Sequence, residues 1–524
     1  MTTHASVFLA AAAPVLFVIA ALVARLEPGR RIPRLSRALS IAAAGGVLVS
    51  FATIVAVAMA GPMTSPSLGG LGLRLDPLSV TLSAMVALLA AVIVRFSRTY
   101  LDGDPRRGVF LGRLAATIAS VQVLVLADHL VLFVGAWMAT SLTLHRLLVF
   151  YGARRGAVVA ARKKFIVARL GDACLIGAAI WLYAAVGSGD FGALFAASLD
   201  GATITGVGIL LAVTALLKSA QFPTHGWLIE VMETPTPVSA LLHAGLLNAG
   251  PFLIVRFAPI ASESALASGL LVVGGGFTAL FASAALLTQP AVKTALGYSS
   301  AAHMGFMLLV SGLGVYPAVI LHLVAHSFYK AHAFLSAGSA VETAVAARVV
   351  PPTAGGGGRL AGAVLRLGRA VLGAGLALGI YAGLALLFGG MLPSASPLGD
   401  PALLLVGAML VLGLTQLLTP ALDRGLPWST ATQIAGLTVA VGLAFFALET
   451  ATAGWLAASL PPRTVPPTSV LVAAGLIVAS FAVAIGLQLV GAGRTRTGRA
   501  LYLHLRQGFY ANALFDRLVG TYRR

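Results

Sequence analysis

Apolar runs of about 20 residues, separated by short polar breaks rich in glycine, proline and arginine, recur from one end of the chain to the other. As a helix, each run is long enough to cross the roughly 30 Å hydrocarbon core of a bilayer. The runs predict spans at residues 6–24, 38–60, 77–97, 108–126, 129–150, 164–185, 203–222, 236–260, 268–288, 296–313, 316–341, 366–390, 401–420, 431–452 and 468–491. The expected fold is therefore all-α, a polytopic membrane protein of about 15 transmembrane helices. The first run, Val7 to Ala24, has no basic stretch before it and no small-residue cleavage site after it, so it reads as a spanning helix and not as a signal peptide.

Composition agrees with this reading. Of 524 residues, 59% are hydrophobic and 10% are charged, against roughly 25% charged in a soluble domain. A net charge of +19 would suggest nucleic acid in a soluble chain. Here it sorts by connection. Arg25, Arg30, Arg31, Arg34 and Arg37 lie in the first connection, Arg95, Arg98, Arg106, Arg107 and Arg113 around the third, and Arg154, Arg155, Arg162, Lys163 and Lys164 in the fifth. The second holds only Arg74, and the fourth and sixth hold none. The positive-inside rule then puts odd connections in the cytoplasm, the N-terminus outside and the C-terminus inside. The seventh connection, Phe222 to Pro235, is an exception without Arg or Lys. The single cysteine, Cys174, falls inside a span and supports neither a disulfide framework nor a cysteine metal site.

Two segments depart from the spanning pattern. Pro351 to Arg359 is glycine-rich and reads as a cytoplasmic loop. Ala500 to Val519 mixes Leu501, Leu503, Leu505, Phe509, Leu514, Phe515 and Leu518 with basic residues. That makes it either an amphipathic helix lying on the headgroups or a docking element for a partner. The expected division is 1–75 (N-terminal helices), 76–345 (a functional core), 346–365 (loop), 366–491 (C-terminal helices) and 492–524 (amphipathic tail).

The candidate chemistry lies in charges left inside the membrane. Lys218 and Lys330 fall well within spans, with Lys293 near a span's beginning. A charge at the bilayer centre costs on the order of 2.5–3.5 kcal/mol even on a lenient scale, so such groups face a protein interior or a hydrated cavity. Each is either one half of a static ion pair or a proton carrier. The histidines weigh toward the second reading. His225, His243, His303, His322, His326 and His332 lie within about 110 residues of one another, and His322, His326 and Lys330 repeat at i, i+4, i+8 on one helix face. Titratable groups stacked across a membrane helix are what proton hopping requires. The spacing of His322 and His326 also permits zinc, but no acid stands between them and Lys330 one turn on repels a cation, so no metal or other cofactor is assigned. The stretch KSAQFPTHGWLIEVMETPTPVS from Lys218 carries three prolines where a span ends. A broken helix of this kind is tolerated in a membrane only where it is buried or lines a cavity. Glu230 and Glu233 at this mouth are either a cytoplasmic access for cations or part of a solvated turn.

These motifs resemble the proton-conducting, antiporter-like family that includes the L-type subunit of complex I and the large Mrp antiporter subunit. The resemblance rests on KSAQFPTHGWLIEVMETPTPVSALLHAG (218–245), VKTALGYSSAAHMGFM (292–307), ILHLVAHSFYKAHAFLSAGS (320–339) and KKFIVARLGD (163–172), within residues 75–345. By position it implies an antiporter-like fold and a proton path through Lys218, His243, Lys293, His322, His326, Lys330 and Asp172. Two departures stand out. The family's fifth-helix glutamate after a tryptophan is replaced by Met138 after Trp137, leaving Asp172 or His145 as the nearest substitute, and no lysine occurs from Ala361 to Leu392 where the second channel lysine belongs. HRLLVFY, AARKKFIVARLGD, LLNAGPFLIVRFAP and LHLRQGFYANALFDRLVG resemble the DabB branch, membrane subunits of an energy-coupled inorganic carbon pump. That resemblance implies a transporter subunit without catalysis of its own. Its expected partner is a DabA-like soluble zinc protein, similar to a β-carbonic anhydrase, on the cytoplasmic face. The other reading is a subunit of a redox-driven complex or of an Mrp-type sodium/proton antiporter.

Overall fold

The computed structural model describes residues 3–26, 32–66, 68–338, 359–389, 399–422, 427–489 and 495–519. Its helices are α1 (Thr3–Leu26), α2 (Ile32–Ala60), α3 (Pro77–Tyr100), α4 (Arg107–Leu126), α5 (Leu130–Leu148), α6 (Arg155–Val186), short α7 (Phe191–Ala196) and α8 (Gly201–Lys218). They continue with α9 (Gly226–Glu230), α10 (Thr236–Ala244), α11 (Ala249–Arg256), α12 (Ala258–Ala261), α13 (Ala265–Leu286), α14 (Val292–Gly312) and α15 (Tyr316–Leu335). Last come α16 (Arg359–Gly389), α17 (Pro401–Leu418), α18 (Trp428–Leu456), α19 (Thr468–Leu489), α20 (Arg496–Arg506) and α21 (Ala511–Val519). The glycine-rich 351–358 stretch lies outside the described residues.

Every expected span has a helix. Among the described residues twelve helical stretches are long and apolar enough by themselves to cross a membrane, against about 15 expected. Those that fall short are α14, α15 and the shorter apolar stretch in α17. In α14 and α15 the cause is chemical: Lys293, His303, His322, His326 and Lys330 lower the apolar average of the two helices that carry them. The span expected at 236–260 is broken into α10 and α11, with a 3₁₀ turn at Leu246–Asn248 between them, and ends in the short α12.

The connections on one face are stapled by charge. A two-residue antiparallel pair, Met63↔Leu75 and Thr64↔Arg74, leads into Asp76, which caps α3 reciprocally with Ser79. Asp76 pairs with Arg256 at the end of α11, both side chains almost wholly buried, and Arg74 Nε donates to Asp128 at 2.6 Å. Burial, the largest single influence, pushes the Asp76 carboxyl up, but the Arg256 guanidinium, the Ser79 N–H and Arg74 together hold the group below its ordinary value. A depressed value means that the pair's contribution is complete above the ordinary aspartate pKa of about 3.9 and is lost as pH falls through the folded-state value. Arg256→Leu leaves a buried carboxylate uncompensated, and thermal unfolding in detergent at neutral pH should show a loss of about 3–5 kcal/mol.

The fifth connection needs a correction. Lys163 and Lys164 belong to no solvated loop: α6 starts at Arg155, and both lysines are buried two turns inside it. Lys163 Nζ donates to Glu230 at 2.7 and 2.8 Å and to Asn512 at 3.0 Å, and it pairs with Asp516. The tail helix α21 therefore sits on α9. Asn512 occupies the space a side chain at Gly226 would need, with its Oδ1 1.9 Å from where a Cβ would be. Leu505 and Phe515 pack against the core, while Leu501, Leu503, Leu514 and Leu518 stay exposed. The amphipathic tail thus contacts the chain's own broken-helix mouth, a site that neither reading of its pattern anticipated.

Candidate functional site

Two breaks in the helical ladder build the site. The first follows α8: Lys218 ends the helix, Ala220 takes a positive φ of 51°, and the chain turns through Pro223 into α9. The second divides α10 from α11. Proline at 251 has no N–H for the carbonyl four residues back, and that carbonyl, of Leu247, accepts instead from Ser219 Oγ at 3.2 Å. The two breaks thus meet. Gly250 permits the approach, since a Cβ there would stand 2.1 Å from Ser219 Oγ and 2.6 Å from the Ala215 carbonyl. Asn248 in the second break donates to the Ala244 carbonyl (2.9 Å) and to Ser327 Oγ on α15 (2.8 Å).

Lys218 projects into the region between α5, α6 and the breaks. Its Nζ is sealed from solvent, makes no hydrogen bond among the described residues, and stands 4.3 Å from the centre of the Trp137 ring. A cation over an indole face is held by the ring quadrupole. With Met138 where the family's glutamate belongs, Trp137 is the close neighbour of this amine. Lys164 shares the site: its Nζ donates to Ser141 Oγ at 2.8 Å and to the Ser141 carbonyl at 2.9 Å. A cavity of about 20 Å³ lies between Lys164 and Lys218, with Thr140, Trp227 and Leu247 in its wall, enough for one water. Trp227 Nε1 is a second buried donor at this cavity without a partner among the described residues. Asp172 on α6 is close enough to act electrostatically on both lysines, but its ion-pair partner is Arg169, one turn away at 2.5 Å. His145 is turned toward Phe165, with ring centres 5.3 Å apart.

A second cluster lies around α15. His303 Nδ1 and His322 Nε2 are 2.9 Å apart, a direct imidazole–imidazole hydrogen bond. The His326 ring is 5.0 Å from His303 and 6.2 Å from His322, centre to centre. One turn on, Lys330 Nζ donates to Ser299 Oγ at 2.7 Å. His243 on α10 is fully buried and stacks on Phe334 of α15 at 4.3 Å. Both ring nitrogens of His243 and of His326 are buried without hydrogen-bond partners among the described residues. Such orphaned polar atoms are rare in folded proteins and ask for a reason. A group locked in a fixed ion pair is not free to exchange protons; an amine or imidazole without one is. His303, absent from the sequence-derived path, joins this cluster through its bond to His322. The AAHMGFM motif was the available signal. His303 and His322 also border a largely apolar cavity of about 740 Å³ between α13–α15 and the C-terminal helices α17–α19.

The other expected residues stand apart from the row. Lys293 is half-buried and donates to Thr236 Oγ1 at 3.2 Å, tying the start of α14 to α10. Glu230 accepts from Lys163 and, at 2.6 Å, from Asn512. Glu233 is approached by Arg154, which donates to its backbone carbonyl at 2.7 Å. His225 is buried against Phe222, Phe281 and Tyr298, and His332 is exposed. No group of three or more metal-ligating side chains occurs among the described residues.

The sequence matches the family model of the NADH:quinone oxidoreductase/Mrp antiporter transmembrane region over residues 127–353, and that of the complex I chain 5 N-terminus over 69–111. The probable inorganic carbon transporter subunit DabB2 of Halothiobacillus neapolitanus is 36% identical over 86% of this chain and 80% of its own length. The probable DabB of Hydrogenovibrio crunogenus is 41% identical over 54% of this chain, a match that spans 56% of that protein. NADH-quinone oxidoreductase subunit L of Mycobacterium tuberculosis is 35% identical over 52% of this chain and 43% of its own length. Among solved structures, the Mrp complex of Dietzia superposes with a TM-score of 0.65 and 24% identity over 99% of this chain and 59% of that one, a likeness of fold. This multi-pass membrane chain belongs to the antiporter-like membrane-subunit family of complex I and Mrp, in the branch of the DabB inorganic carbon transporter subunits.

Proposed function

We propose that this chain is the cation-conducting subunit, with H⁺ as the ion, of an energy-coupled complex that accumulates inorganic carbon in the inner membrane. The observation that carries the reading is the run of buried, unpaired titratable groups beside two adjoining helix breaks. Lys218 and the water-sized cavity beside Lys164 form the first station. Asn248 and His243 in and before the second break lead to Lys330, His326, and the His303–His322 pair. Asp172 biases the two lysines from α6, and Glu230, Glu233 and Lys293 belong to the cytoplasmic mouth. In this reading the N-terminus is outside and the C-terminus cytoplasmic, an orientation the arginine-rich odd connections support.

The coupled chemistry, hydration of CO₂ to bicarbonate, belongs in this reading to a DabA-like soluble zinc partner on the cytoplasmic face; the membrane chain is no enzyme. Support comes from the DabB relatives, which are named as transporter subunits. Co-expression with such a partner is expected to restore growth in ordinary air to a host lacking carbonic anhydrase. Failure, with both proteins verified in the membrane, sinks the inorganic carbon reading. The likeness to subunit L supports a second reading, membership of a redox complex or an Mrp-type antiporter, in which the same row serves and co-purification brings redox or Mrp subunits instead.

A further inference from the structure

A groove of about 880 Å³ runs along the outside of α1, α4 and α5, away from the proton row. Its wall is built from small residues, among them Ala21, Ala116, Gly135 and Ala139. Its two hydroxyls, of Ser120 and Thr143, are already spent on the carbonyls of Ala116 and Ala139, at 2.9 and 2.8 Å. On α5 the lining extends from Val131 to Arg146, about 22 Å of helix rise, which exceeds the ~15 Å half-thickness of the hydrocarbon core. Three arginines line the groove: Arg25 at the end of α1, Arg113 two turns into α4 and Arg146 in the last turn of α5. All three lie at the end of their helices that the charge pattern assigns to the cytoplasm. Among the described residues none of them forms an ion pair, and Arg113 donates to the backbone carbonyl of Arg146.

Three like charges gathered at one end of a greasy channel, with no carboxylate paired to them among the described residues, are an anion site with a hydrocarbon seat attached. We propose that this groove holds an anionic phospholipid, its phosphate among Arg25, Arg113 and Arg146 and an acyl chain along the small-residue wall. Basic pockets between transmembrane helices at the cytoplasmic surface are where anionic headgroups bind, and a guanidinium fork matches phosphate geometry. A zwitterionic lipid brings its own cation among the arginines and loses this advantage.

The test is native mass spectrometry of the full chain in detergent, titrated with phosphatidylglycerol or with phosphatidylcholine of identical chains. The expected result is one tightly held phosphatidylglycerol, with affinity at least tenfold above that of phosphatidylcholine and no displacement by inorganic phosphate. Arg25→Gln with Arg146→Gln removes two guanidiniums that make no internal side-chain hydrogen bond among the described residues, and should erase the tenfold preference. Ala139→Phe keeps all three charges but fills the acyl seat, and should weaken both lipids. Equal affinity of the wild type for the two lipids overturns the proposal without recourse to any variant. So does displacement by free phosphate, or a preference unchanged in the folded double variant.

Discussion

Lys218→Met is expected to lower ion-coupled activity by at least ~100-fold, the scale on which a positioned proton-transfer group contributes, while the protein still assembles in the membrane. The asymmetry between activity and stability follows from the site. Lys218 Nζ has no hydrogen bond among the described residues and rests against the Trp137 ring, so an apolar side chain of similar length keeps the packing and removes an unpaired buried charge. Removing such a charge is neutral or stabilising. Lys218→Arg supplies the complementary control: a guanidinium keeps the cation over the indole but does not deprotonate in a protein, and the variant should be as inactive as Lys218→Met. Proton flux in proteoliposomes, read with an internal pH dye, checks both. Wild-type flux in either variant removes Lys218 from the path.

His326→Leu carries the second large effect. The ring sits between the His303–His322 pair and Lys330, with its centre 5.0 Å from His303 and neither nitrogen bonded. Leucine fills much of the same apolar space and leaves the 2.9 Å His303–His322 bond intact. Flux should again fall by about 100-fold or more, with the melting temperature within a few degrees of wild type. The reverse pattern, a large loss of stability with flux per folded molecule preserved, marks His326 as a packing residue.

Much of this was legible in the chain itself because the bilayer writes large signals. A run of apolar residues with one charge in it demands explanation, and Lys218, Lys330 and the His322–His326 repeat were found on that ground alone. The proline cluster after Lys218 announced the first helix break. The second, at Leu246–Asn248, was hidden because Pro251 sits four residues beyond the carbonyl it frees, inside an otherwise apolar run. The local sequence places Lys163 in a loop because its partners Asn512 and Asp516 are about 350 residues distant, and no local pattern reports a contact of that kind. The same holds for Arg256, whose counter-charge Asp76 lies 180 residues earlier. The substitution of Met138 for an expected glutamate was visible, but the role of Trp137 as the ring beneath Lys218 depends on packing between α5 and α8.

The tail illustrates how a correct local pattern underdetermines a contact. Its apolar residues divide between Leu505 and Phe515, which pack inward, and Leu501, Leu503, Leu514 and Leu518, which do not. Polar groups decide the placement: Asn512 and Asp516 reach the buried Lys163 beside Glu230. Satisfying a buried lysine is worth more than covering a few leucines at an interface, since an unpaired charge in a low-dielectric setting is the costlier fault.

The buried row is examined most directly by proton flux under an imposed membrane potential, in proteoliposomes holding the chain with the proposed DabA-like protein. Wild type is compared with a variant in which His303, His326 and Lys330 are replaced together by leucine, leucine and methionine. Rapid, potential-driven acidification is expected for the first and a background leak for the second. Equal rates in the two, with equal protein reconstituted, would mean that protons cross by another route and that the buried row is structural.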